Sequence, residues 1–172
     1  MITVYFWAPD MSAKNIGHIS LTIGTGQAKG LERYVSWWPG HGDKKWLVGK
    51  PISSRTYEGD VKAEGGPPTA TVSISGLDEA KMKRAWENML ANNPRYLVYR
   101  KNCAWTVKSI LDVGTGYDLM SAHLDFINLR LTGGVWTPRT VFEYAKLLKH
   151  RYNSNAQRSA QVPSDAYGLR LS

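Results

Sequence analysis

Hydrophobic and polar residues alternate with a period of two near the start of the chain. Residues 2–8 alternate through Thr3, Tyr5 and Trp7. Residues 18–24 set Ile19, Leu21 and Ile23 against His18, Ser20 and Thr22, and residues 32–38 and Thr69 to Ile74 repeat the pattern. Successive side chains of a strand point to opposite faces, so each segment predicts a strand with one apolar face. Between the second and third lies Gly24-Thr25-Gly26-Gln27-Ala28-Lys29-Gly30. It lacks the Gly-Lys-Ser/Thr ending of a phosphate loop and joins strand to strand, which makes it a hairpin turn. Residues 40–68 are rich in Gly, Pro, Lys and Ser and predict an irregular excursion, extended at residues 61–63.

The period then changes. Asp78 caps a predicted helix in which Met82, Trp86 and Met89 share a face and Pro94 lies just past the end. Tyr96 to Tyr99 leads into a second helix, where Cys103, Val107, Ile110 and Leu111 form an i, i+4, i+7, i+8 stripe and Gly114 is the expected stop. Residues 115–135 are mixed, and His123 among them reads as structural. Thr137-Pro138 opens a last helix with Val141, Tyr144, Ala145 and Leu148 on one face. His150 suits the negative end of that helix. Strands first and helices after predict an α+β fold with an antiparallel sheet packed against the cysteine-bearing helix. Residues 1–150 are expected to form a single domain and residues 151–172 a polar, weakly ordered tail.

Composition narrows the class. With 172 residues, 42% hydrophobic and 21% charged, the chain has the make-up of a globular protein with a real core. No apolar run approaches the ~20 residues of a membrane span. The apolar N-terminus lacks the basic lead of a secretory signal, so the expectation is synthesis in the cytoplasm and, for any export, a specialised route. A net charge of +8 and a pI of 9.6 favour anionic partners. Trp37, Trp38 and Trp46 flank Lys44 and Lys45. Indole rings beside basic groups suit a lipid–water interface, so this segment is the expected contact with a membrane or substrate. The four histidines have no ligand spacing and there is one cysteine, so neither a metal nor a cofactor is expected.

That cysteine lies in Tyr99-Arg100-Lys101-Asn102-Cys103-Ala104-Trp105, a basic loop running into a helix. A thiol in a first helical turn feels the positive end of the dipole and unpaired N–H groups, which favour thiolate. His18 opens its strand beside Gly17, where a neutral imidazole can take a thiol proton near neutral pH. The two together read as a Cys–His unit.

Gly17-His18-x-Ser-Leu-x-Ile-Gly, then Tyr34-Val35-Ser36-Trp37-Trp38-Pro39, then Asn102-Cys103-Ala104, resembles the permuted papain-like superfamily. That group includes circularly permuted NlpC/P60 domains and lecithin:retinol acyltransferase-like enzymes, in which the histidine precedes the cysteine. The resemblance covers about residues 15 to 115. It implies a third, polar residue on the next strand to orient the histidine. Ser36 stands at the matching place, where the acyltransferase-like branch usually has a second histidine. His41 is the alternative, and Ser36 is preferred because alternation fixes its direction.

The expected chemistry is attack of Cys103 on an ester or amide carbonyl, with His18 as base and then acid. The Cys103 backbone N–H is the expected oxyanion donor, with Asn102 assisting or, preferably, capping the helix. The resemblance offers two substrates, membrane phospholipid and cell-wall peptide, and the basic, tryptophan-rich segment favours lipid. It also implies a toxin module delivered by a bacterial secretion system, with a cognate immunity protein. Nucleic acid is not an expected partner of such an enzyme. A rival of another class is a non-catalytic basic module that binds nucleic acid or an anionic surface.

Overall fold

The computed structural model describes residues 1–10, 15–25, 33–39, 48–49, 51–52, 56–92, 96–97, 101–118, 122–123, 125, 127–128 and 132–160. The chain is a mixed α+β protein. Its main sheet holds β1 (Ile2–Trp7), β2 (His18–Ile23), β3 (Tyr34–Val35) and β7 (Ala70–Ile74) in the order β3-β2-β1-β7, with every pairing antiparallel. Two small pairs flank it: β4 (Trp38–Pro39) with β6 (Pro51–Ile52), and β5 (Val48–Gly49) with β8 (Tyr96–Leu97). The continuous helices among the described residues are α1 (Tyr57–Ala63), α2 (Glu79–Asn92), α3 (Cys103–Thr115) and α4 (Pro138–Ala160).

The alternation fixes which side of the sheet meets the main helices. Ile2, Val4, Phe6, Ile19, Leu21, Ile23, Val35, Val72 and Ile74 are buried in one cluster with Met82 and Trp86 of α2, Val107, Ile110 and Leu111 of α3, and Val141, Ala145 and Leu148 of α4. α3 lies against β2, and α4 against β1 and β7. Asp78 caps α2 as expected, its carboxylate accepting from the Lys81 N–H at 2.9 Å. The sheet's polar face is covered too, so that every residue of β2 is buried. There Ser20 and Tyr34 hydroxyls bond at 2.8 Å, and Tyr57 of α1 packs on Tyr5 with ring centroids 4.9 Å apart.

Four expectations are corrected. Residues 61–63 are helical, because α1 forms within the segment read as irregular. The third strand does not run unbroken over residues 32–38: it leaves the main sheet after Val35, and Trp38–Pro39 pairs instead with β6. Gly114 does not stop α3. The helix continues to Thr115 and ends at Gly116, whose φ of 72° is the left-handed cap conformation. Gly114 has a packing role instead, since a Cβ there would lie 2.6 Å from the Met82 sulfur. Finally, α4 runs past His150 to Ala160, so the helix dipole does not explain His150. Arg151 pairs with Asp118 at 3.0 Å, and the Asn153 side chain accepts from the Ser75 N–H at 3.1 Å, which tie this stretch to the domain. Residues 161–172 of the expected tail lie outside the described residues.

Candidate functional site

The site is assembled where the first residue of β2, the helix α1 and the start of α3 meet. Gly17 leads into β2 with φ of 81°, and a Cβ on it would come within 2.7 Å of the Trp7 carbonyl oxygen. Only glycine fits both requirements, so it sets how closely β2 begins against β1. His18 follows, opposite Trp7 in the sheet and 2% exposed.

α1 brings the residue that sequence reasoning missed. Thr56 accepts from the Gly59 N–H at 3.2 Å, and Glu58 and Asp60 place negative charge in the first turn, where the dipole favours it. Asp60 is completely buried. Its Oδ2 accepts from Tyr34 Oη at 2.7 Å, Ser36 Oγ at 2.8 Å and His18 Nε2 at 3.1 Å, while its Oδ1 accepts from Trp38 Nε1 at 2.8 Å. Those donors hold the carboxyl below the usual carboxylate range: burial works against ionisation, and the bonds and charge of His18, then Tyr34 and Ser36, outweigh it.

His18 answers in kind. Burial disfavours its charged form, but the hydrogen bond to Asp60 and the electrostatic pull of Cys103 and Asp60 push its pKa up to about 9. A pKa raised this far favours the imidazolium beside the Asp60 carboxylate.

Cys103 begins α3 and is buried. The Asn102 side chain is committed to holding that helix end: Oδ1 accepts from the Trp105 N–H at 2.8 Å, and Nδ2 donates to the Trp136 carbonyl at 2.9 Å. These bonds match the preferred expectation that Asn102 caps the helix. Ser36 does face His18 Nε2, at 3.3 Å, yet its hydroxyl donates to Asp60 and the carboxylate makes the shorter bond to the ring. Both Ser36 and Asp60 thus meet the ring nitrogen, Asp60 by the shorter bond.

The tryptophans part company. Trp37 is 1% exposed and packs edge-on against Trp86 in the core, so it is no membrane contact. Trp38 is half-buried and stacks on the His18 ring with centroids 4.3 Å apart, which makes it part of the site's wall. His41, Lys44, Lys45 and Trp46 lie outside the described residues. Among the described residues no group of three or more His, Cys, Asp or Glu side chains could hold a metal ion. No helix among them is long and apolar enough to cross a membrane. The signal for Asp60 existed, as a Thr cap followed by an acidic first turn. It was hidden because α1 spans only seven residues, one of them Gly59.

The family described as IcsB middle domain matches residues 1–64 and 52–167 of this chain. Over 80 residues, 45% of the chain, the sequence is 38% identical to the "Multifunctional-autoprocessing repeats-in-toxin" protein of Vibrio vulnificus, of which the match covers 1%. The protein of the same name from Vibrio cholerae serotype O1 is 35% identical over 80 residues, 45% of the chain and 2% of that protein. The chain thus corresponds to a very small part of these relatives. No solved structure matches it significantly.

Proposed function

The chain belongs to the IcsB middle domain family, and from that premise and the Cys103–His18–Asp60 geometry we propose a thiol-dependent acyl-transfer enzyme. The observation that carries this is His18, on the strand against which α3, the helix begun by Cys103, is packed, and bonded through Nε2 to the buried Asp60 carboxylate at 3.1 Å. In this reading the Cys103 thiolate adds to an ester or amide carbonyl. The backbone N–H of Cys103, in the first turn of α3, receives the oxyanion. The imidazolium gives its proton to the departing alkoxide or amine, leaving a thioester. Neutral His18 then takes a proton from water or a second nucleophile, which attacks the thioester and restores the thiolate. The order histidine, carboxylate, cysteine along the chain supports a permuted papain-like arrangement.

For the substrate, Trp37 and Trp38 no longer argue for a membrane. The support for an apolar acyl group comes from a cleft of about 320 Å³ in which Ile127, Trp136, Tyr144 and Leu147 line the wall together with polar Asn128, Thr132, Arg139, Thr140 and Glu143. It adjoins the reacting helix, since the Trp136 carbonyl holds the Asn102 cap and Tyr144 Oη donates to Asp112 of α3 at 2.9 Å. The aromatic and aliphatic part of that lining is the reason for preferring an acyl chain of a lipid to a cell-wall peptide. The relatives' names are those of toxins, which supports a role as a delivered bacterial effector, for which an immunity protein is a further proposal.

The test is mass spectrometry of the intact protein after incubation with phospholipid vesicles and, in parallel, with peptidoglycan fragments. An acyl adduct on Cys103 from vesicles is expected, and Cys103→Ala and His18→Ala should both lose adduct and turnover. Full activity in Cys103→Ala would refute the enzyme, and salt-sensitive binding without turnover would favour the basic binding module instead.

A further inference from the structure

Trp38 touches two members of the proposed triad at once. Its ring stacks on His18 at 4.3 Å between centroids, with planes 28° apart. Its indole N–H donates to Asp60 Oδ1 at 2.8 Å and lies 3.1 Å from Ser36 Oγ. The N–H therefore fixes the ring against the same carboxylate that binds His18, so the stack and the ion pair are built from one anchor. Trp7, the cross-strand neighbour of His18, also meets the imidazole, but more loosely, at 5.6 Å and 42°.

We propose that Trp38 is a positioning residue whose ring face holds His18 as the imidazolium, prolonging the protonated state that the leaving-group step requires. An aromatic face attracts a cation through its quadrupole, and the attraction grows when water is excluded. Here the imidazole is 2% exposed, so little water competes. The groups that set its charge are Asp60 from α1 and Cys103 from α3, with Tyr34 of β3 and Ser36 acting through Asp60. Trp38 adds a neutral contact that distinguishes the two protonation states without competing for either ring nitrogen. The chain leaves the main sheet after Val35, with Trp37 entering the core and Trp38 turning onto the ring.

The inference rests on His18 being the acid–base partner of Cys103, and its test reads the ring directly. The full chain is made with labelled histidine, the His18 resonance is assigned from the spectrum of His18→Gln, and its pKa is measured in the resting protein. Trp38→Phe keeps a ring and removes the N–H; Trp38→Leu removes both. The leucine variant should lower the His18 pKa by about one pH unit, the size of a desolvated cation–π contact, while phenylalanine restores most of it. The alkaline limb of kcat/KM should move in parallel. Trp38→Met replaces leucine if that variant does not fold. An unchanged His18 pKa, or equal shifts in the ring-bearing and ringless variants, would overturn the proposal. Because the titration needs no turnover, it fails or stands separately from the Cys103→Ala result.

Discussion

At Asp60 the donors of His18, Tyr34, Ser36 and Trp38 converge on one buried carboxylate. An amide in its place offers one acceptor oxygen and turns the other position into a donor, which would face donors already there. Asp60→Asn should therefore lower kcat/KM by about 10²–10⁴-fold, the range lost when an acid–base histidine loses its orienting carboxylate. It should also move the alkaline limb from near pH 9 toward the ordinary histidine range, because bonds and charge from Asp60 help hold His18 protonated. Ser36→Ala removes one of several donors and should cost about tenfold or less, the worth of one ordinary hydrogen bond. Steady-state kinetics on a soluble ester compare the two. A larger loss from Ser36→Ala than from Asp60→Asn would return the orienting role to the serine. Cys103 and His18 were legible because each announces itself locally, one at a helix start and the other at a strand start. Asp60 carried only the faint local signal of a short capped helix, and its donors are gathered from segments distant in sequence.

Among the elements, α3 depends on a small residue at its crossing with α2. Gly114 sits where a Cβ would lie 2.6 Å from the Met82 sulfur and 3.3 Å from Leu77 Cβ. Alanine gains up to about 1 kcal/mol in helix propensity, while overpacking a full core costs about 1–3 kcal/mol. Gly114→Ala should thus be destabilising by about 1 kcal/mol in urea unfolding. Met82→Ala should cost less in that background than alone, since it relieves the clash as it removes buried surface. Additive effects would show that α2 and α3 have room to part. The reading of Gly114 as a stop failed for a definite reason. Glycine ends helices by adopting positive φ and enters helices by permitting close approach, and the second cause leaves no local mark. The same limit hid α1, whose burial of Asp60 over the sheet outweighs a composition typical of loops.

For the whole molecule, the buried pair sets how stability follows pH. The folded pKa of His18 lies above its unfolded value, so its contribution is complete below pH 6.5 and is lost as pH rises to about 9. The folded pKa of Asp60 lies below 3.8, so its contribution is present above that value and is lost as pH falls through the folded pKa. Asp112 works in the opposite sense: burial raises its carboxyl despite the bond from Lys108, which softens the acid limb. The urea midpoint should be highest between about pH 4 and 6.5 and fall from 7 to 9, and His18→Gln should flatten that alkaline fall. A midpoint that climbs between pH 7 and 9 would contradict a charged, carboxylate-bound His18. The net charge of +8 remains a property of the surface and does not determine this behaviour.

Alternation and helical periodicity were enough to place the antiparallel sheet, α2, α3 and the start of α4, because these patterns record which residues face the core. They also located the thiol and the imidazole, whose chemistry depends on positions at element ends. Contacts between distant segments are not written in any local period. Trp37 and Trp38 are the same residue type in adjacent positions, yet one fills the core against Trp86 and the other covers His18. Asp60 lies 42 positions from His18 and meets it because α1 folds back over the polar face of β2. Folding decides such pairings through the burial of whole surfaces, with the buried carboxylate gathering its donors once those surfaces have met.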